Sequence, residues 1–467
     1  SYSVTGVQTC ALPIWTAAED IRLYGYWYWD WADQTVTVKT IDPSSKTIES
    51  GIPSWYSVQQ GQRYYAYNLL EEIDTPGEYY IDRTNKKLYF YFPDTHNAEI
   101  HLSTVHDSLV TIAADHVTVN GVNISAVWGN AFMMSGNSSV FSCAEISGTG
   151  EMAINVTGSK NRVSDCYMHD VNGGINLYGG DRMKLESAEN EVIGCNITRY
   201  ARITKTYNPG ILVSGVGNKA IGNTIHEAPH VGIMLSGNNH LVEFNEIYDV
   251  LQETDDMGAI YAGRSWTSRG TKIRHNYIHD LTSEQIFTVG LFGIYLDDQY
   301  SGTEISGNIF ENIDKRRNGA AFFNSSGKEN KFINNIVINA ISVRINDASI
   351  YPSANNSRFL AELETVPYRS KVWKDAYPEL YSILDGDFNL PTGNTVSGNV
   401  FYNTDEMLIS EPIRSYIEVR DNPSDYSGGA DPGFIDVNER NYGFTENADV
   451  WNKIPGFKQI PFARMDH

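Results

Sequence analysis

From about residue 116 the chain repeats one short figure of apolar and polar positions: HVTVNGVNIS, SSVFSCAEIS, NRVSDCYMHD, NEVIGCNITR, NKAIGNTIHE, HLVEFNEIYD, TKIRHNYIHD, TEISGNIFEN, NKFINNIVIN and, much later, NTVSGNVFYN. Each reads as a strand, a bend of one or two residues and a second short strand. Superposing the bends aligns Val122, Ala144, Cys166, Cys195, Asn223, Asn245, Asn276, Asn308, Asn335 and Asn399, at spacings of 22, 22, 29, 28, 22, 31, 32, 27 and 64 residues. A basic unit of 22 residues that grows only by insertion is what a solenoid produces when it keeps its core and varies its loops. Between these units lie GGINLYGG, PGILVSGV, VGIMLSGN, MGAIYAGR, FGIYLDDQ and GAAFFNSS, whose alternation marks a third strand with one face inward. The expected fold is all-β: a right-handed parallel β-helix of three strands per coil and about ten coils. Ile175 and Leu177, Ile211 and Val213, Ile233 and Leu235, and Ile294 and Leu296 stack inside it, and the bend asparagines form a hydrogen-bonded ladder.

The pattern changes on both sides of the helix. Residues 15–100 are strand-like and rich in Trp and Tyr, with GYWYWDWADQTVTVKTI followed by EYYIDRTNKKLYFYF around a turn at Asn85. They are expected to form a β-rich N-terminal module ahead of a helix domain over 101–439. Within that domain FLAELE and VWKDAYPELYSIL have helical periodicity, so a short helical excursion is expected near 358–384. In the tail, DPGFIDVNERNYGF reads as a strand pair and 440–467 as a cap over the last coil's edge.

Composition narrows the partners. The chain has 35 Lys+Arg against 57 Asp+Glu, a formal charge of −22, which argues against a nucleic-acid partner. No stretch approaches the length of a membrane span. The four cysteines, Cys10, Cys143, Cys166 and Cys195, form neither a disulfide scaffold nor a zinc motif, and those on the ladder are expected to pack in the core. No metal or other cofactor is expected. Residues Val4 to Ile14, VTGVQTCALPI, resemble the conceptual translation of a sequencing adapter found at the ends of assembled environmental genes. Residues 1–14 are therefore expected to be foreign, with native sequence beginning near Trp15.

A solenoid is a scaffold whose function comes from outward side chains and long loops. Taking the Ile-Tyr shared by AIYAGR and GIYLDD as register places Met234, Tyr261, Tyr295 and Phe322 in one outward column and Ser236, Gly263, Asp297 and Asn324 in the next. Long connections concentrate beside it: VLQETDDM (250–257), RSWTSRGT (264–271), LTSEQIFTVGL (281–291) and KRRNG (315–319). Walls of this kind around aromatic residues suit a sugar, whose CH faces pack on rings. Asp255, Asp256, Asp297 and Asp298 fall here, and paired carboxylates are the equipment of glycoside hydrolysis, one protonated and one ionised. Aspartate pairs also end strands for conformational reasons alone. Asp256, Asp297 and Asp298 are the catalytic candidates. Tyr261, Arg264, Trp266, Tyr295, Asp255 and Glu284 are the substrate-binding candidates, with Trp266 and Tyr261 as a sugar platform. On a straight strand Asp256 and Asp297 would stand over about 20 Å apart, so the pair requires the 250–257 loop to curl back. His230 and His279 are weaker candidates.

The segments NLLEEIDTPGEYYIDRTNKKLYFYFP (68–93), DMGAIYAGRSWTSRGTKIRHNYIHD (256–280), GIYLDDQYSGTEISGNIF (293–310), VWKDAYPEL (372–380) and GFKQIPF (456–462) resemble right-handed β-helix carbohydrate-active enzymes. The chain is most similar to glycoside hydrolase family 141, which includes an α-L-fucosidase acting on pectin and a xylanase. That resemblance implies a secreted or periplasmic bacterial hydrolase of plant cell-wall polysaccharide, needing no cofactor, and carries the family's proposed aspartate pair onto Asp256 and Asp297. Two other readings stand beside it. One is a uronate lyase or epimerase, for which Arg264 and the Lys315-Arg316-Arg317 loop would serve; the other is a non-catalytic carbohydrate-binding solenoid.

Overall fold

The computed structural model describes Trp15, Ala18 and residues 20–93, 100–284, 288–347 and 354–461. The adapter-like run and the last six residues of the expected cap lie outside the described residues. The chain divides into two compact units, 1–102 and 103–467. In the first, four antiparallel strands are ordered Thr47–Ser50, Asp33–Asp42, Arg22–Tyr26 and Tyr64–Tyr67. Ile21, Leu23, Val36 and Leu69 form the core of this unit. A separate hairpin, Tyr79–Asp82 with Lys87–Phe90, turns at Asn85, whose backbone N–H donates to Asp82 Oδ1 at 2.8 Å.

The second unit is a right-handed parallel β-helix built from three sheets of 11, 11 and 10 strands. Each coil passes through the first, second and third sheet in turn, and alternation decides what each strand buries. In the first sheet Ile175, Ile211, Ile233, Ile260, Ile294, Phe322 and Val343 pair in continuous register and stack inside. Phe322 and Asn324, expected to face outward, are therefore inward residues. The two adjacent phenylalanines carry no alternation to fix the register, and it is Phe323 that pairs with Tyr295.

The bend between second and third sheets carries the asparagine ladder. Asn276 shows its economy: its Oδ1 accepts from the backbone and side-chain nitrogens of Asn245 at 3.0 and 2.9 Å, while its Nδ2 donates to Val242 O and Asn308 Oδ1 at 3.0 and 2.9 Å. The ladder runs from Cys195, whose N–H donates to Asn223, through Asn399 to Asn422. Cys166 and Cys195 are buried free thiols. A second ladder, at the corner between first and second sheets, links Ser139, Asn161, Asn190 and Asn218. Replacing Asn276 by Ala strands several buried donors and acceptors, each worth about 1–3 kcal/mol. We expect a loss on the order of 3 kcal/mol in chemical denaturation; an unchanged midpoint would show that the ladder contributes no stability.

The helical excursion forms Ala354–Leu363, Lys371–Ala376 and Pro378–Tyr381. Phe359, Leu363, Trp373 and Leu380 gather around Trp266. In the tail, Phe434–Asp436 pairs with Asn441–Phe444. Its apolar residues pack with Tyr277, Ile309, Ile336 and Val400, strand residues of the third sheet, so the described part of the tail covers a flank of the solenoid.

Candidate active site

The outward face of the first sheet is read from its pairing. Leu212, Met234, Tyr261, Tyr295, Phe323 and Arg344 form one row. A second begins Tyr178 and Ser214 and ends with Gly263 beside Asp297. Asp297 is the last residue of the strand Leu291–Asp297. Asp298 and Gln299 then take left-handed backbone conformations (φ 39° and 65°), and Tyr300 N–H donates to Asp297 O at 3.0 Å, which closes the turn.

Asp297 is held from two sides. The Tyr261 hydroxyl donates to its Oδ2 and the Tyr295 hydroxyl to its Oδ1, each at 2.8 Å, with an Arg264 nitrogen 3.9 Å from Oδ2. Asp297 as a whole is 8% exposed. Burial first, then the Asp298 charge, raises its pKa against the two hydroxyl donors and Arg264. Gly263 makes this arrangement possible, because a Cβ there would stand 2.7 Å from the Tyr261 hydroxyl and 3.2 Å from Asp297 Cβ.

Asp256 reaches the same centre because the strand entering it is bent. Although Gly258 pairs with Phe292, a Cβ on Gly258 would lie 2.6 Å from Ile260 O and 2.8 Å from Tyr295 N. A straight-strand separation therefore does not apply. The Asp256 carboxyl interacts with the Tyr295 hydroxyl, and its Oδ1 is buried without a hydrogen-bond partner. Burial, with the charges of Asp297 and Asp255, pushes its pKa up to about 7.

The remaining candidates separate by what they touch. Asp255, expected to bind substrate, is fully buried and clamps the neighbouring loop: its oxygens accept from the N–H groups of Thr288 (2.5 Å), Val289 (2.9 Å), Gly290 (2.6 Å) and Asp256 (2.8 Å) and from the Thr288 hydroxyl (2.7 Å). Asp298 Oδ2 accepts from Arg264 Nε at 2.7 Å, so this pair braces one side of Asp297. Trp266, expected in a sugar platform, is 0% exposed: it stacks on Phe359 at 4.9 Å and donates from Nε1 to Gln299 Oε1 at 3.0 Å. The helical excursion covers it. Tyr261 is also buried, with its hydroxyl engaged by Asp297, so the expected platform is not formed by either ring. Glu284 is exposed in its connection.

His230 is buried with its pKa lowered to about 3 by desolvation, and His279 hydrogen-bonds Asp280 and Glu246. Lys315 pairs with Asp405 and Arg316 with Asp314. Two residues of the centre were not among the sequence candidates. Arg344 lies 4.4 Å over the Phe323 ring, and its charge favours ionisation of Asp256. The alternation of Ile341–Asn346, ISVRIN, held the signal that Arg344 faces outward.

Among the described residues no group of three or more His, Cys, Asp or Glu is disposed to hold a metal ion, and no helix is long and apolar enough to cross a membrane. The profile of the family "right handed beta helix region" matches residues 108–201 and 209–359. No curated protein matches the chain. Among solved structures, one described as a glycoside hydrolase is 14% identical, covers 66% of this chain and 70% of its own, and superposes with a TM-score of 0.52. An alginate lyase, AlyF-OU02, is 14% identical over 73% of this chain and 61% of its own, at 0.41. A DFA-IIIase from Arthrobacter chlorophenolicus A6 is 14% identical over 62% and 70%, at 0.39. At such identities the first likeness is one of fold, and the other two carry no further argument.

Proposed function

Because the chain belongs to the right-handed β-helix family, a scaffold whose chemistry is set by outward rows and loops, we propose that it is a glycoside hydrolase. In this reading Asp256 is the general acid and Asp297 the ionised nucleophile or base. The observation that carries it is the unequal treatment of two buried carboxyls that share Tyr295. Asp297 receives two hydroxyl donors, which favour its anion; Asp256 has an unpartnered oxygen and a pKa near 7, which favours its acid. Such a pair can protonate the leaving glycosidic oxygen while the other carboxylate attacks the anomeric carbon or activates water.

Elimination chemistry fits less well. Burial raises the hydroxyl pKa values of Tyr261 and Tyr295 well above the ordinary range, against service as bases, and Arg264 is engaged by Asp298. The finer reading follows the resemblance to glycoside hydrolase family 141: xylan or fucosylated pectin as substrate, met outside the cell after export. Incubation with a panel of plant polysaccharides should release new reducing ends; no release from any of them would overturn the proposal.

The pH profile carries a further expectation. Asp256 must keep its proton, so activity falls as pH rises through about 7; Asp297 must lose its proton, so activity also falls on the acid side. Tyr295→Phe removes a donor to the Asp297 anion. We expect about a tenfold loss of kcat and an acid limb moved to higher pH; a limb that stays in place would show that Tyr295 does not tune Asp297.

A further inference from the structure

Toward the earlier coils from Asp297 the outward face holds a cavity of about 510 Å³, lined by Tyr178, Arg182, Ser214, Ser236 and Ser268 among others. That size is in the range of small-ligand sites. Its place in the fold follows from register. Tyr178 pairs with Ser214, Val213 with Leu235, Leu235 with Ala262, and Gly263 with Asp297. Tyr178, Ser214, Ser236, Gly263 and Asp297 are therefore consecutive members of one outward row. With strands about 4.8 Å apart, Ser236 lies about 10 Å and Tyr178 about 19 Å from Asp297 along the helix axis. Gly263 itself carries no side chain, and the space over it is taken by the Tyr261 hydroxyl that donates to Asp297. The cavity and Asp297 therefore share one outward row, with the Tyr261 hydroxyl between them.

The chemistry of that lining is specific. Ser214 and Ser236 present small hydroxyls where the adjacent outward row carries Leu212 and Met234, so the wall is hollow and polar. At the far end Tyr178 is 53% exposed, a ring face available for stacking. The cavity's cation is committed to neutral acceptors: Arg182 Nε donates to Asn238 Oδ1 at 2.9 Å and Nη2 to Thr267 Oγ1 at 2.8 Å. The Thr267 hydroxyl in turn donates to Glu362 at 2.6 Å, and Asp181 also lines the cavity. Hydroxyls and one aromatic face, with the lining's one cation already hydrogen-bonded and its one carboxylate, Asp181, paired with Lys184 at 3.3 Å, suit a neutral sugar better than a uronate.

We propose that this cavity is a binding subsite for neutral sugar residues of an oligosaccharide, two to four strands removed from the bond cleaved at Asp297. The enzyme would then hold its substrate chain parallel to the helix axis and read several residues on one side of the scissile bond. The proposal rests on the hydrolase reading only for which bond is cleaved; the binding itself is separable.

The test uses the full chain carrying Asp297→Asn, so that ligand is not consumed, titrated calorimetrically with xylohexaose, cellohexaose, mannohexaose and hexagalacturonate. At least one neutral hexasaccharide should bind more tightly than hexagalacturonate. Adding Ser236→Trp, which fills the cavity from an exposed position, should weaken that binding about tenfold or more, and adding Tyr178→Ala about fivefold. Circular dichroism checks that each variant is folded, and Tyr178→Ala, on an exposed ring, serves where Ser236→Trp does not fold. No binding of any neutral hexasaccharide, tighter binding of hexagalacturonate, or affinity indifferent to the folded cavity variants would overturn the subsite. If the wild-type chain hydrolyses nothing while the cavity variants still lose affinity, the subsite stands and the role of Asp297 falls.

Discussion

Asp297→Asn is expected to fold normally and to lose activity about a thousandfold or more, equivalent to about 4 kcal/mol of barrier. Tyr261 and Tyr295 reach opposite oxygens of the carboxylate at 2.8 Å each. Asparagine keeps the shape: its oxygen accepts from one tyrosine hydroxyl and its amide nitrogen donates to the oxygen of the other, so both contacts are kept and only the anion is lost. The inward neighbours Ile294 and Leu296 and their register are untouched. A folded variant with near-normal turnover on the same polysaccharide would remove Asp297 from the chemistry.

Asp256→Asn should show two effects of opposite sign. Without a proton to give, turnover of a natural glycoside should fall about 10²–10⁴-fold. A substrate with an activated aryl leaving group, which departs without protonation, should be largely spared. The limb near pH 7 should vanish from the remaining activity. Stability should respond in the other direction. The folded-state pKa of Asp256 is raised from 3.8 to about 7, so the folded chain binds the proton more tightly than the unfolded chain. Its contribution is fully present below about pH 4 and is lost as pH rises through about 7. Above that pH the buried anion costs on the order of 4 kcal/mol, which asparagine avoids. Thermal unfolding of the wild type should therefore weaken between pH 5 and 8 by more than that of the variant; parallel pH dependences would show that Asp256 is not a buried acid.

Most of the fold was legible because a parallel β-helix writes its geometry into local sequence. The inward column through Ile175, Ile211, Ile233 and Ile294 follows from alternation, and the asparagines at the bends follow from the 22-residue unit. Legibility failed where alternation stops. The phenylalanine pair at 322–323 has no polar residue to fix its register, and the pairing of Tyr295 with Phe323 puts the outward row one position later than alternation alone places it. Trp266 sits in a polar loop whose burial is supplied from nearly a hundred residues away by Phe359 and Leu363, a contact no local pattern records. Asp255 and Asp256 are neighbours of identical chemistry, yet one satisfies the loop at 288–290 and the other faces Tyr295. Backbone direction at Gly258 separates them, and an isolated glycine in a strand pattern announces a bend without saying which side chain it delivers.

If these carboxyls split a glycosidic bond with water, the oxygen of that water must appear in the product. Digestion of the responsive polysaccharide in water enriched in ¹⁸O, followed by mass spectrometry of the products, reads it. We expect one heavy oxygen at each new reducing end, no ultraviolet-absorbing unsaturated uronate, and loss of both label and product with Asp297→Asn. Unlabelled fragments carrying the unsaturated chromophore, or labelled fragments formed equally well by the variant, would contradict it.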